Sequence, residues 1–348
     1  MADRDIIVVG ASAGGLDALL RLVRGLPAGL PASLFVACHL QPGGHSSLPE
    51  ILSRAGPLLA VPAVDGEPFH PGQVYVAPPD YHLLLGPDRT TRLTRDAREN
   101  RHRPAIDPLF RSAARHFGAR TIGVVLSGAL SDGAAGLMAL RAAGGLAVVQ
   151  DPADALFPDM PRNAVQLAGA DRLARADELA PLLTTLLNGQ APRRDDTMTN
   201  PFDEMHDVVE QDMQRQSRDD RRGEISVFSC PECGGSLWQA KTAGLTQFRC
   251  HVGHVYNGEV LLSEQSEALE AALWTAVRTF REKSVLAQQL ARHKQAEGDV
   301  EAALRFAEQA ALADRYGSLI RRYILDGAPG PDGTDAVGGD SRPGRGPA

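Results

Sequence analysis

Five short apolar runs, at residues 6–9, 33–38, 74–77, 121–126 and 146–150, alternate with stretches of helical spacing at 16–26, 48–54, 109–117 and 134–143. A run that is apolar throughout has no face to offer water, so it suits a strand covered on both sides. Helices that connect parallel strands supply those covers. The alternation therefore predicts an α/β fold, a doubly wound and mostly parallel sheet, over residues 1–188. Residues 73–77 and 81–85, separated by Pro78-Pro79-Asp80 and followed by 90–94, break the alternation and predict an antiparallel hairpin at a sheet edge.

Beyond that unit the chain changes character. Residues 189–224 carry ten acidic and six basic side chains with few large apolar ones, the composition of a linker that is partly helical or disordered. A small Cys/His module is expected at 225–257. Residues 258–326 then show Leu262, Leu269, Leu273, Ala276, Phe280 and Leu290 at helical spacing, and beyond a break at 296–299 Leu304, Ala307, Ala311, Leu319 and Tyr323 line a second face. Two antiparallel helices are the simplest arrangement. The Gly/Pro/Asp-rich end, 327–348, reads as a disordered tail.

A formal charge of -7 over 348 residues gives no concentrated excess of Lys and Arg to neutralise a phosphate backbone, so nucleic acid is not an expected partner. The apolar run at 6–9 is too short for a signal segment or a membrane span, and the chain is expected to be cytoplasmic, with no membrane insertion. Three of the four cysteines cluster at 230, 233 and 250, which suits a metal site better than a disulfide framework. Cys38, alone in an apolar run, reads as a buried small side chain.

The chemistry concentrates where apolar runs end. In Gly10-Ala-Ser12-Ala-Gly14-Gly15 a serine sits on a glycine-flanked turn between strand and helix, the G-x-S-x-G setting that exposes a nucleophilic hydroxyl. A dinucleotide loop would carry Gly in place of Ser12, and a phosphate loop would carry Gly-Lys-Ser/Thr; neither is present. His39 follows the second run, at the same edge, as a base or as a structural hydrogen-bonding group. Asp132 follows the fourth, where it either caps the helix that begins near Gly133 or binds the Nδ1–H of His39 and stabilises the imidazolium. The order Ser, His, Asp differs from the α/β-hydrolase order of Ser, Asp, His.

Six motifs in order carry a resemblance: Gly10-Ala-Ser-Ala-Gly-Gly15, His39-Leu-Gln-Pro, Gly72-Gln-Val-Tyr-Val-Ala-Pro-Pro-Asp80, Arg103-Pro-Ala-Ile-Asp-Pro-Leu-Phe110, Leu126-Ser-Gly-Ala-Leu-Ser-Asp-Gly133 and Met160-Pro-Arg162. Residues 5–187 are similar to the catalytic domain of the protein-glutamate methylesterases of bacterial chemotaxis. The resemblance implies hydrolysis of glutamyl methyl esters on a methylated chemoreceptor or other signalling protein, often with deamidation of glutamines. It implies Ser12, His39 and Asp132 as nucleophile, base and orienting acid, no cofactor for catalysis, and backbone oxyanion donors near Ala13 and Ala129. The chain departs from the family at Ala13, commonly Thr, and at Ala129-Leu130, commonly Met-Gly. The family's usual N-terminal receiver is not expected here, since the hydrolase begins at residue 5.

Cys230-Pro-Glu-Cys233 and Cys250-His-Val-Gly-His254 supply two ligand pairs for a zinc ribbon; the alternative is reduced, unliganded cysteines. His254 fits better than His251, which adjoins Cys250. Four protein ligands leave no open position, so the zinc is expected to be structural and the hydrolase independent of it. The module and the helices also resemble the C-terminal extension of some methylesterase-like proteins, and a protein partner for the helices is expected. Against the enzyme stands a catalytically weak scaffold that signals through the zinc-helix module.

Overall fold

A computed structural model of the chain describes residues 4–39, 46–187, 189, 223–242 and 245–326. The expected tail at 327–348 and, apart from residues 189, 223 and 224, the expected linker at 189–224 lie outside the described residues. By contacts the chain divides at residue 263 into two compact units.

The first unit is built on seven strands: β1 (Ile6–Ala11), β2 (Ser33–Cys38), β3 (Leu59–Pro62), β4 (Gln73–Val76), β7 (Thr121–Val125), β8 (Leu146–Gln150) and β9 (Arg172–Ala174). Their order is β3-β4-β2-β1-β7-β8-β9, and every neighbouring pair is parallel. β1 is buried at all six positions, because Ile7 and Val9 join one apolar cluster while Ile6 and Val8 join another on the opposite face. Helices α1 (Gly15–Gly25), α2 (Leu48–Ala55) and α6 (Leu179–Leu187) cover the first face. Helices α3 (Ile106–Phe117) and α4 (Ala134–Ala142) and, through Met160, the short α5 (Asp159–Asn163) cover the second. The expected doubly wound sheet is thus present.

Two edge elements were not read from the sequence. β3 is four residues ending in Pro62, and a proline that cannot donate to a ladder is tolerated on an outer strand. β9 has three residues, with two exposed. The antiparallel hairpin exists as β5 (His82–Leu85) and β6 (Thr91–Thr94), a separate two-stranded sheet, while β4 lies inside the parallel sheet.

Residues 224–257 form a second, four-stranded antiparallel sheet: β10 (Glu224–Ser229), β11 (Ser236–Thr242), β12 (Leu245–Cys250) and β13 (Val255–Asn257). Its small core comprises Cys230, Leu237, Phe248, Cys250 and Tyr256 with Val260 and Leu261, and Leu130 of the hydrolase-like domain packs against it. After this come α7 (Gly258–Ala296) and α8 (Val300–Asp326), divided as the break at 296–299 predicts. In the second unit the ring of Phe280 packs on Tyr316 at 5.8 Å, while Leu269, Leu286, Leu304 and Leu319 are exposed. Among the described residues no helix is long and apolar enough to cross a membrane.

Candidate active site and candidate metal centre

β1 lies between β2 and β7, where the connections wind in opposite directions, and at such a switch point the carboxyl ends of strands open a crevice. Register levels the three strand ends: Ala11 is opposite Cys38, the His39 N–H donates to the Ala11 carbonyl (3.1 Å), and the Ser12 N–H donates to the Ser127 carbonyl (3.0 Å). Ser12 and His39 therefore emerge side by side. The turn after Ser12 needs Gly14, whose φ of 69° is left-handed and whose missing Cβ would come within 2.9 Å of Leu156 and Phe157. Gly128 is required by close approach alone, since a Cβ there would come 2.8 Å from that of Ser12.

The Ser12 hydroxyl is 2.8 Å from His39 Nδ1, and His39 Nε2 is 2.7 Å from Asp132 Oδ2. The three residues read from the sequence are in one hydrogen-bonded row, but the ring is turned over relative to expectation: Nε2, and not Nδ1, meets the aspartate. A carboxylate can only accept, so Nε2 holds the proton and Nδ1 accepts from the Ser12 hydroxyl. The His39 side chain is 7% exposed and that of Asp132 2%.

Asp132 does not cap α4: its side chain bonds the Gly133 N–H but none of the amides within the helix, and the first-turn Gly136 N–H goes to Asp107 instead. Its Oδ2 also accepts from the Ile106 N–H (2.7 Å), and its Oδ1 accepts from the N–H groups of Asp107 (3.2 Å) and Gly133 (3.0 Å) and from Asn100 Nδ2 (3.0 Å). Two of these donors are the first amides of α3, where a helix favours negative charge. Burial by itself would push the Asp132 carboxyl up; the His39 hydrogen bond and charge and the Ile106 amide outweigh it and hold the group well below the usual carboxylate range. Asp107, fully buried, is pushed the other way by burial and by the charges of Asp132 and Glu99.

Three neighbours escaped sequence reasoning. His102 stacks on the His39 ring with centroids 3.5 Å apart and planes 11° apart; burial, then the charge of His39, lowers its pKa to about 4. Asp107 bonds the Gly136 N–H and Asn100 Nδ2. Asn100 ties Asp107 to Asp132. Of these only Asp107 lay within a quoted motif, and nothing local marks the other two. The backbone N–H groups of Ala13 and Ala129, both exposed, have no hydrogen-bond partner among the described residues. Cys38 is buried, which pushes its thiol up to about 11.

Sγ of Cys230, Cys233 and Cys250 and a ring nitrogen of His254 lie within 4.8 Å of one another. Cys233 Sγ is 3.6 Å from Cys250 Sγ, and His254 Nδ1 is 3.4 Å from Cys250 Sγ and 3.6 Å from Cys230 Sγ. A tetrahedron with bonds of ~2.3 Å to sulfur and ~2.0 Å to nitrogen has edges of roughly 3.5–3.8 Å, which these three separations match, while the widest pair of the set lies within 4.8 Å. His254 Nε2 meets Glu232 at 3.2 Å, the carboxylate support usual behind a ligating imidazole.

The two sites are not separate. The Asn100 N–H donates to the Val255 carbonyl (2.9 Å) and the Asn257 N–H donates to Asn100 Oδ1 (3.1 Å), so the Cys/His sheet is joined to the loop that touches Asp132. The hydrolase was expected to work independently of the metal; in the structure the two modules are joined by these contacts.

The profile of the CheB methylesterase family matches residues 7–183. The protein-glutamate methylesterase/protein-glutamine glutaminase of Paraburkholderia xenovorans is 37% identical over 196 residues, which cover 56% of this chain and 54% of that protein. A protein of the same description in Photorhabdus laumondii is 37% identical over 197 residues, 56% of each chain. The crystal structure of the Thermotoga maritima CheB methylesterase catalytic domain is similar with a TM-score of 0.51 and 32% identity, covering 53% of this chain and 98% of that one. The chain spans about half the length of the curated relatives it matches.

Proposed function

The chain belongs to the CheB methylesterase family, and from that premise we propose that it is a serine-type protein-glutamate methylesterase, hydrolysing glutamyl methyl esters on a methylated chemoreceptor or related signalling protein. The observation that supports this most is the row from Ser12 through His39 to a carboxylate that accepts five hydrogen bonds. Ser12 Oγ attacks the ester carbonyl while His39 Nδ1 takes its proton. Asp132, kept ionised, stabilises the imidazolium through Nε2. The free N–H groups of Ala13 and Ala129 receive the oxyanion. Collapse of the tetrahedral intermediate gives a glutamyl ester of Ser12 and methanol, which departs with the proton from His39. Water then attacks the acyl-enzyme with His39 again as base, leaving glutamate and restoring Ser12.

Three side chains and two amides complete this chemistry without a cofactor. Glutamine deamidation follows the same steps with ammonia as leaving group, and the relatives' descriptions include a glutaminase activity. Leu156 and Phe157, exposed beside the nucleophile turn, offer an apolar surface for a receptor segment. The zinc ligands are Cys230, Cys233, Cys250 and His254; a protein partner is assigned to the C-terminal helices, and the location is cytoplasmic. Mass spectrometry of a methylated receptor incubated with the protein tests the reading. Loss of one methylene mass per methylated site is expected. A receptor left unchanged while a known methylesterase converts it would refute the assignment.

A further inference from the structure

Three residues around Asp132 have left-handed backbone although none is glycine: Asn100 (φ 49°), Arg101 (φ 73°) and Leu130 (φ 62°). Such conformations persist where surrounding contacts over-determine them. Here the contacts come from the Cys/His module. Val255 pairs with Glu99 in a parallel bridge, accepting from the Asn100 N–H and donating to the Arg98 carbonyl. Leu130, two residues before Asp132, packs on the module's core, and Asn163 Nδ2 spans from the Leu130 carbonyl (3.0 Å) to Glu259 (2.8 Å).

Asn100 is the link. Both hydrogens of its amide nitrogen go to carboxyl groups, Asp107 and Asp132, and its oxygen accepts from the Asn257 N–H. The reverse orientation would set that oxygen against two carboxyl groups, so the module's backbone and Asp132 fix one rotamer between them. On the module's side, Val255 adjoins the ligand His254, and β13 is only three residues long. Glu232, between Cys230 and Cys233, reaches both His254 and Arg98 (3.9 Å). A sheet of this size with so small a core depends on its metal for order.

We propose that the metal module is a positioning element of the hydrolase: ion binding by Cys230, Cys233, Cys250 and His254 holds β13 in register, and through Asn100 and Leu130 it sets the geometry of Asp132. The proposal rests on the reading of Asp132 as the residue that orients His39. Asn100 is accordingly a positioning residue, since it touches Asp132 and neither substrate nor Ser12.

The test uses the full chain, zinc-loaded and after chelation, and reads Ser12 directly by its labelling rate with a fluorophosphonate. Chelation is expected to slow labelling roughly ten- to a hundredfold, the range seen when a supporting shell is lost, with recovery on adding zinc. Hydrogen exchange at the Ile106, Asp107 and Gly133 amides should rise while β1 and β7 stay protected. Asn100→Ala in the zinc-loaded protein should give the same loss, in kcat with KM unchanged, and chelation should add little to it, because residues acting through one link are not additive. Leu130→Gly, which suits the left-handed backbone and removes only packing, should slow labelling with the fold intact and covers the case in which Asn100→Ala misfolds. Labelling and exchange indifferent to zinc, a chain that binds no zinc, or fully additive losses would each overturn the proposal. Zinc-dependent labelling in a chain that releases no methanol would instead sink the methylesterase reading and leave the coupling standing.

Discussion

Asp132→Asn separates an orienting carboxylate from a mere structural acceptor, and the structure gives the size of the effect. Oδ2 accepts from His39 Nε2 and the Ile106 N–H, and Oδ1 from Asn100 Nδ2 and the Asp107 and Gly133 N–H groups. An asparagine has one carbonyl oxygen, so its NH2 must face one of these sets. Facing the first, it drives the His39 proton from Nε2 to Nδ1, where the ring can no longer accept from Ser12. Facing the second, it leaves three donors opposed. Each buried donor without a partner costs about 1–3 kcal/mol, so the better orientation, which strands only the Ile106 N–H once His39 has changed tautomer, costs about that much. Loss of the tautomer and of imidazolium stabilisation should lower kcat by roughly 10⁴. From the sequence alone, a conservative change on a turn would be expected to leave stability nearly untouched; five donors on one carboxylate remove that expectation. Urea unfolding at pH 7 and methanol release from a methylated receptor measure the two quantities. A variant with wild-type turnover and reduced stability would refute the orienting role.

Arg111→Met should destabilise by about 3–5 kcal/mol in urea melts, because the bidentate 2.6 Å pair with Glu99 is buried and its loss strands a carboxylate. His102 has a pKa of about 4 in the folded chain against the ordinary 6.5, so the unfolded chain binds more protons between these values. Its contribution to stability is full above pH 6.5 and is lost as pH falls towards 4; His102→Gln should flatten that part of a plot of urea midpoint against pH. Metal analysis of the purified chain should find about one zinc per chain, falling in Cys233→Ser, with loss of the near-ultraviolet signal of the buried Tyr256.

What could be read from the residues was what neighbours in sequence decide. Ile6 to Val9 has no polar side, so β1 had to be covered on both faces, and Ser12 had to emerge at its carboxyl end. The spacing of Cys230, Cys233, Cys250 and His254 picked out four residues whose ligand atoms the fold brings within 4.8 Å, because each pair sits on one tight turn. β3 was hidden by Pro57 and Pro62 and by its four-residue length. The orientation of the His39 ring depends on which strand end each nitrogen faces, and no local pattern carries that. Asn100 meets Asn257 across 157 residues, and its role exists only once two sheets are docked. A polar Asn-Arg-His stretch offers no periodicity from which that docking could be foreseen.

The central claim is that Ser12 carries the acyl group in glutamyl methyl ester hydrolysis, and methanol release from a receptor bearing those esters tests it most directly. The full chain should release methanol in proportion to the esters lost, and Ser12→Ala, which opens no cavity on an exposed turn, should fold normally and fall by several orders of magnitude. Release by Ser12→Ala within tenfold of the wild-type rate would contradict the account.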